Sequence, residues 1–119
     1  MYRILNVRQE KDRDFKVWYT DDYWDLFIWV DASKRISSFQ LSYGKPDKEH
    51  LIMWSKDANS LRIARVETGE DDPSANRSPL LYEADDADVP TVLSKFTKDS
   101  RRIDPAIARF IISKLENPK

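Results

Sequence analysis

A chain of 119 residues with 40% hydrophobic and 34% charged positions has room for one folded domain, and it is neither a membrane protein nor a disordered tail. Twenty Lys and Arg against 21 Asp and Glu give a net charge of −1, without the basic excess on which a dedicated nucleic-acid binder depends. Two glycines and no cysteine exclude a disulfide scaffold, a thiolate metal site, a cysteine nucleophile and a glycine-rich phosphate loop. Charges begin at Arg3 and no window holds the roughly 20 apolar residues of a membrane span, so a cytoplasmic protein without a secretory leader is expected.

Up to residue 66 the apolar positions alternate. Phe15, Val17 and Tyr19 oppose Lys16, Trp18 and Thr20; Trp24, Leu26, Ile28 and Val30 oppose Asp25, Phe27, Trp29 and Asp31; Ser37, Phe39, Leu41 and Tyr43 oppose Ser38, Gln40 and Ser42. Period two with aromatic and β-branched enrichment predicts three strands. Residues 50–54 are continuously apolar from Leu51, so their faces are not separable, and residues 61–66 form a fifth strand in which Arg62 and Arg65 break the pattern. The connectors at 21–22, 31–34, 44–48 and 56–59 are too short for parallel crossovers, which predicts an antiparallel meander. Keeping the apolar rows on one side pairs Ile28 with Phe39, Leu26 with Leu41 and Trp24 with Tyr43. The other face then pairs Trp29 with Ser38, Phe27 with Gln40 and Asp25 with Ser42. A one-residue slip would place the apolar rows on opposite faces.

Residues 67–88 hold eight acidic side chains against Arg77, with Pro73 and Pro79. They read as an acidic loop over 67–79 and a short strand at 80–83. From 88 to 117 the period changes to that of helices. Asp88 and Pro90 open the first, with Val89, Val92, Leu93 and Phe96 as its stripe; Asp104 and Pro105 open the second, with Ile107, Phe110, Ile111 and Leu115. The expected class is α+β: one domain over 1–119, with a meander sheet of five to six strands in 1–66 and 80–83 and a C-terminal helical pair.

Few residues invite chemistry. His50 is the single histidine, without a visible nucleophile to serve. Asp21, Asp22 and Asp25 lie among aromatics, yet a domain this small rarely forms the cleft a glycosidase pair needs, and Asp21 and Asp22 read as a turn. Glu70, Asp71 and Asp72, and Asp85, Asp86 and Asp88, lack the ligand spacing of a calcium loop, so neither a metal nor a cofactor is expected. The distinctive feature is aromatic: all four tryptophans (Trp18, Trp24, Trp29 and Trp54) fall between residues 18 and 54. Asp, Ser and Gln interleave them, which disfavours a phosphate backbone and hence nucleic acid.

The runs WDLFIW at 24–29, FQLSY at 39–43 and EHLIMW at 49–54, with RVE at 65–67, GE at 69–70 and SPLL at 78–81, resemble a group of short uncharacterised bacterial proteins. That resemblance implies a bacterial, cytoplasmic, single-domain protein and carries no activity. The residues themselves point to a non-enzymatic interaction or accessory module that meets another protein chain or a second copy of itself. Trp18, Phe27 and Trp29 are its candidate interface. The alternative is a small enzyme or ligand binder with a pocket between sheet and helices, built from Gln40, Tyr43, Glu49 and His50.

Overall fold

The computed structural model describes residues 1–44, 49–67, 80–83 and 89–117. Seven strands lie in sequence order in one antiparallel sheet: β1 (Tyr2–Arg3), β2 (Phe15–Thr20), β3 (Trp24–Val30), β4 (Ile36–Tyr43), β5 (His50–Ser55), β6 (Ser60–Glu67) and β7 (Leu80–Glu83). Two helices follow, α1 (Val89–Asp99) and α2 (Pro105–Glu116). The α+β meander expected from the alternation is what forms. The strand missing from the sequence reading is β1, too short to show a period, which pairs Tyr2 with Thr20 and Arg3 with Tyr19. Of the acidic loop expected over 67–79, Glu67 instead ends β6, and residues 68–79, the run at 85–88 and the cap expected from Asp88 lie outside the described residues.

The turns explain the register. At the β3–β4 hairpin, the Asp31 carboxylate accepts from the backbone N–H of Ser33 (2.9 Å) and Arg35 (3.0 Å), and Lys34 takes a left-handed φ of 64°. These bonds hold the Asp31 carboxyl below its ordinary range, the Arg35 N–H most strongly. The register that results is Ile28 opposite Phe39, Leu26 opposite Leu41 and Trp24 opposite Tyr43. Ser37 is the extra residue of a bulge, since Trp29 pairs with Ser38 and Val30 with Ile36. Its buried hydroxyl bonds the Asp14 carboxylate and the Trp29 carbonyl.

One sheet face is the core. Val17, Tyr19, Trp24, Leu26, Ile28, Phe39, Leu41, Ile52 and Trp54 pack there beneath Val89, Val92 and Phe96 of α1 and Ala108, Ile111 and Leu115 of α2. Phe96 meets Trp24 edge-on at 5.7 Å between centroids, and Phe110 meets Trp54 at 5.1 Å and Phe39 at 6.5 Å. The indole N–H of fully buried Trp24 donates to Asp99 at 2.8 Å, so its polar end is satisfied. That bond, followed in strength by Lys95, holds the Asp99 carboxyl below its ordinary range despite partial burial. Helix α2 starts as its sequence implies: the Asp104 carboxylate accepts from the Ala106 N–H at 2.8 Å, and Pro105 fills the first turn.

Between β1 and β2 the chain runs along the edge of β2. Ile4 N–H donates to the Trp18 carbonyl at 2.9 Å. The Gln9 side-chain amide then accepts from the Lys16 N–H (2.8 Å) and donates to the Lys16 carbonyl (2.9 Å). Its amide thus supplies both bonds that a neighbouring strand would have made.

Candidate functional site: the open sheet face

Alternation places the second set of strand residues on the face away from the helices. The ladders align them in rows across five strands. One row runs Trp18, Phe27, Gln40, Met53, Arg62; the next runs Lys16, Trp29, Ser38, Ser55, Ser60. Nine of these ten side chains are half-buried and Arg62 is exposed. A third row (Thr20, Asp25, Ser42, Leu51, Ala64) closes the face on one side, with Ser42, Leu51 and Ala64 buried.

The aromatic part is a ladder. Trp18 stacks on Phe27 at 5.2 Å with 20° between planes, and Phe27 reaches Trp29 at 6.3 Å. The Trp18 indole N–H donates to Asp25 Oδ1 at 3.0 Å, and the Thr20 hydroxyl donates to the same oxygen at 2.6 Å, which fixes the Trp18 ring. Cations cover the rings from outside. Lys16 Nζ stands 4.6 Å from the Phe27 centroid and 5.7 Å from that of Trp29, and the Arg13 guanidinium stands 5.7 Å from Trp29. Beside Trp29 the face dips into a cavity of about 220 Å³ whose lining includes Arg13, Ser38, Gln40, Met53 and Arg62.

The three residues expected at an interface, Trp18, Phe27 and Trp29, therefore converge on one surface. The four expected around a pocket do not converge. Tyr43 and His50 stack on each other at 5.5 Å, 15° between planes, on the helix side of the sheet, and half-buried Glu49 precedes His50. Gln40 points to the opposite face because it stands an odd number of residues from Tyr43, and there it lines the cavity beside Trp29. Arg13, Met53 and Arg62 were not foreseen as site residues. For Met53 and Arg62 a signal existed: carrying the β3–β4 register through two more hairpins aligns them with Phe27 and Gln40. Arg13 sits in an irregular segment, and no periodicity points to it.

Among the described residues, no three His, Asp or Glu side chains are grouped to hold a metal ion, and no helix is long and apolar enough to cross a membrane. No family model, curated protein or solved structure matches the chain.

Proposed function

We propose that this protein is a non-enzymatic recognition module that binds another protein chain through the open sheet face. The observation that carries the reading is the placement of the helices. Phe96 and Phe110 both pack on the Trp24, Phe39 and Trp54 side, leaving the ladder of Trp18, Phe27 and Trp29 without a helix over it. Contiguous half-exposed aromatics of this kind mark interaction surfaces. Composition supports the same reading: Trp, Phe, Met and Arg are the types enriched where protein partners meet, and Ser38, Ser55 and Ser60 form a polar margin.

The test is site-specific photocrosslinking in living cells. A photoreactive phenylalanine analogue replaces Trp29 in one version of the protein and exposed Arg109, on α2, in another. A discrete polypeptide adduct from position 29 that is absent from position 109, and lost when Phe27→Ser is added, is the expected result. An adduct of twice the 14.0 kDa chain mass identifies the partner as a second copy. Equal labelling from both positions, or none from position 29, refutes the reading.

A further inference from the structure

We propose that the end of α1 and its connection to α2 form a second binding surface, on which Lys98, Arg101 and Arg102 take the phosphate backbone of a nucleic-acid duplex. The surface belongs to the helical layer, on the other side of the sheet from the open face, and does not depend on what that face binds.

The near-zero charge of the whole chain conceals a division. Residues 1–88 hold 13 Lys and Arg against 18 Asp and Glu, whereas residues 89–117 hold six against three. Three of those six, Lys98, Arg101 and Arg102, fall within five residues of one another and are exposed, and none forms an ion pair among the described residues. The nearest other cation, Lys95, is already engaged: it pairs with Asp99 at 3.1 Å and stands 4.6 Å from the Tyr23 centroid. The carboxylates of the stretch are engaged too, Asp99 by the Trp24 N–H and Asp104 by the Ala106 N–H, each at 2.8 Å. The fold does not ask for this concentration of charge. Lys98 suits the C-terminal end of α1, but Arg101 and Arg102 stand just before α2, next to the positive end of a helix dipole, which disfavours cations.

The surroundings select the ligand. Among the described residues the exposed large hydrophobic side chains are Tyr2, Leu5 and Phe15, and none of them is on a helix. Both helices turn their apolar stripes onto the sheet, which leaves no apolar side to enter a lipid headgroup layer. A protein partner needs an apolar centre within its polar rim, and a single strand needs exposed rings on which its bases stack. This surface offers neither. A duplex backbone needs only cations, and guanidinium groups meet its phosphates through paired N–H donors.

The experiment titrates a fluorescently labelled 20-base-pair DNA duplex with the intact protein and follows anisotropy between 50 and 200 mM KCl. Three phosphate contacts predict that log K falls against log salt with a slope of about −3. Arg101→Gln and Arg102→Gln should each weaken binding about tenfold at 50 mM KCl and reduce the slope by about one. Arg8→Gln, an equal charge change at an exposed position before β2, and Phe27→Ser, on the open face, should each alter binding by less than about twofold. Every variant must keep the wild-type far-UV circular dichroism spectrum, and an Arg→Gln variant that does not is replaced by Arg→Ala. No binding at 50 mM KCl with about 100 μM protein, the weak end of non-specific affinity, overturns the proposal. So does a loss in Arg8→Gln or Phe27→Ser as large as that in Arg101→Gln, which would put the binding in the overall charge or on the open face. Tighter binding to vesicles containing phosphatidylserine, to polyglutamate or to a 20-nucleotide oligothymidylate overturns the duplex in favour of a membrane, an acidic chain or a single strand.

Discussion

Phe96→Ala should separate the two faces of the sheet energetically. The Phe96 ring is fully buried and lies edge-on to Trp24, itself fully buried, at 5.7 Å. Truncating a buried Phe costs about 3–5 kcal/mol, from lost transfer free energy and from the cavity left behind. Phe27→Ala removes the same atoms from the open face, where the ring is half-buried, stacked on Trp18 and covered by Lys16. Half of a full burial term of about 1.5–3 kcal/mol, plus part of an aromatic pair worth about 0.5–1.5, gives roughly 1–2 kcal/mol. Equilibrium urea unfolding followed by far-UV circular dichroism measures both, and a slope of about 2 kcal/mol/M turns the core loss into a midpoint shift of about 2 M. A loss of that size is a large share of a typical domain's stability. Should Phe96→Ala fail to fold, Phe96→Leu supplies the comparison at smaller cost. Equal losses at the two positions, or a Phe96 loss under about 1 kcal/mol, would refute the placement of α1 over Trp24.

Three further outcomes follow from single contacts. Among the described residues no hydrogen-bond partner reaches the buried Ser42 Oγ, so Ser42→Ala should leave stability unchanged or raise it by up to about 1 kcal/mol, measured by the same unfolding curve. Gln9→Ala removes both bonds to the Lys16 backbone; it should cost about 1 kcal/mol and speed hydrogen exchange at the Lys16 amide, and unchanged exchange there would refute the clamp. Asp99 is held below its ordinary value of 3.8 by the Trp24 N–H, so the folded chain keeps it charged where the unfolded chain takes up a proton. Its contribution is therefore full above that value and lost as pH falls through the lower folded value, and Asp99→Asn should flatten the acid limb of a melting-temperature profile.

The sheet was legible in the sequence because its strands obey one rule with few exceptions. Alternation separated Trp24, Leu26 and Ile28 from Asp25, Phe27 and Trp29, and the short connector at 31–34 left a single register with both apolar rows on one side. The bulge at Ser37 was not legible, since it depends on a hydroxyl reaching Asp14 and the Trp29 carbonyl. Arg62 and Arg65 looked like interruptions of β6 because the two-sided demand on that strand was unknown. Arg62 in fact ends the row that begins at Trp18, while Arg65 pairs with His50 at the end of the core face. The grouping of Gln40 with Tyr43 and His50 failed on parity alone: proximity in sequence outweighed the alternation that sends residues 40 and 43 to opposite faces. The segment before Phe15 carries no period at all. Its structure comes from one side-chain amide imitating a strand and from left-handed Asn6 and Asp12, residue types that tolerate that conformation.

Geometry explains why, among the described residues, the two helices leave one sheet face without a helix over it. Seven strands about 4.8 Å apart span roughly 29 Å. Helices of 11 and 12 residues are about 16–18 Å long and about 10 Å across, so side by side they cover most of one face and none of the other. The second face must then be made compatible with water by its own side chains. One route is polar side chains, and Ser38, Ser55 and Ser60 take it on β4 to β6. On β2 and β3 the face keeps its rings instead, with Lys16 over Phe27 and Trp29 and Arg13 over Trp29, cations held by ring electrostatics worth about 0.5–1 kcal/mol each at exposed sites. Cover of that strength shields the rings without locking them away. Polar substitution of Phe27 and Trp29 would have made the face equally compatible with water, at the cost of the ring ladder on which the proposed recognition rests.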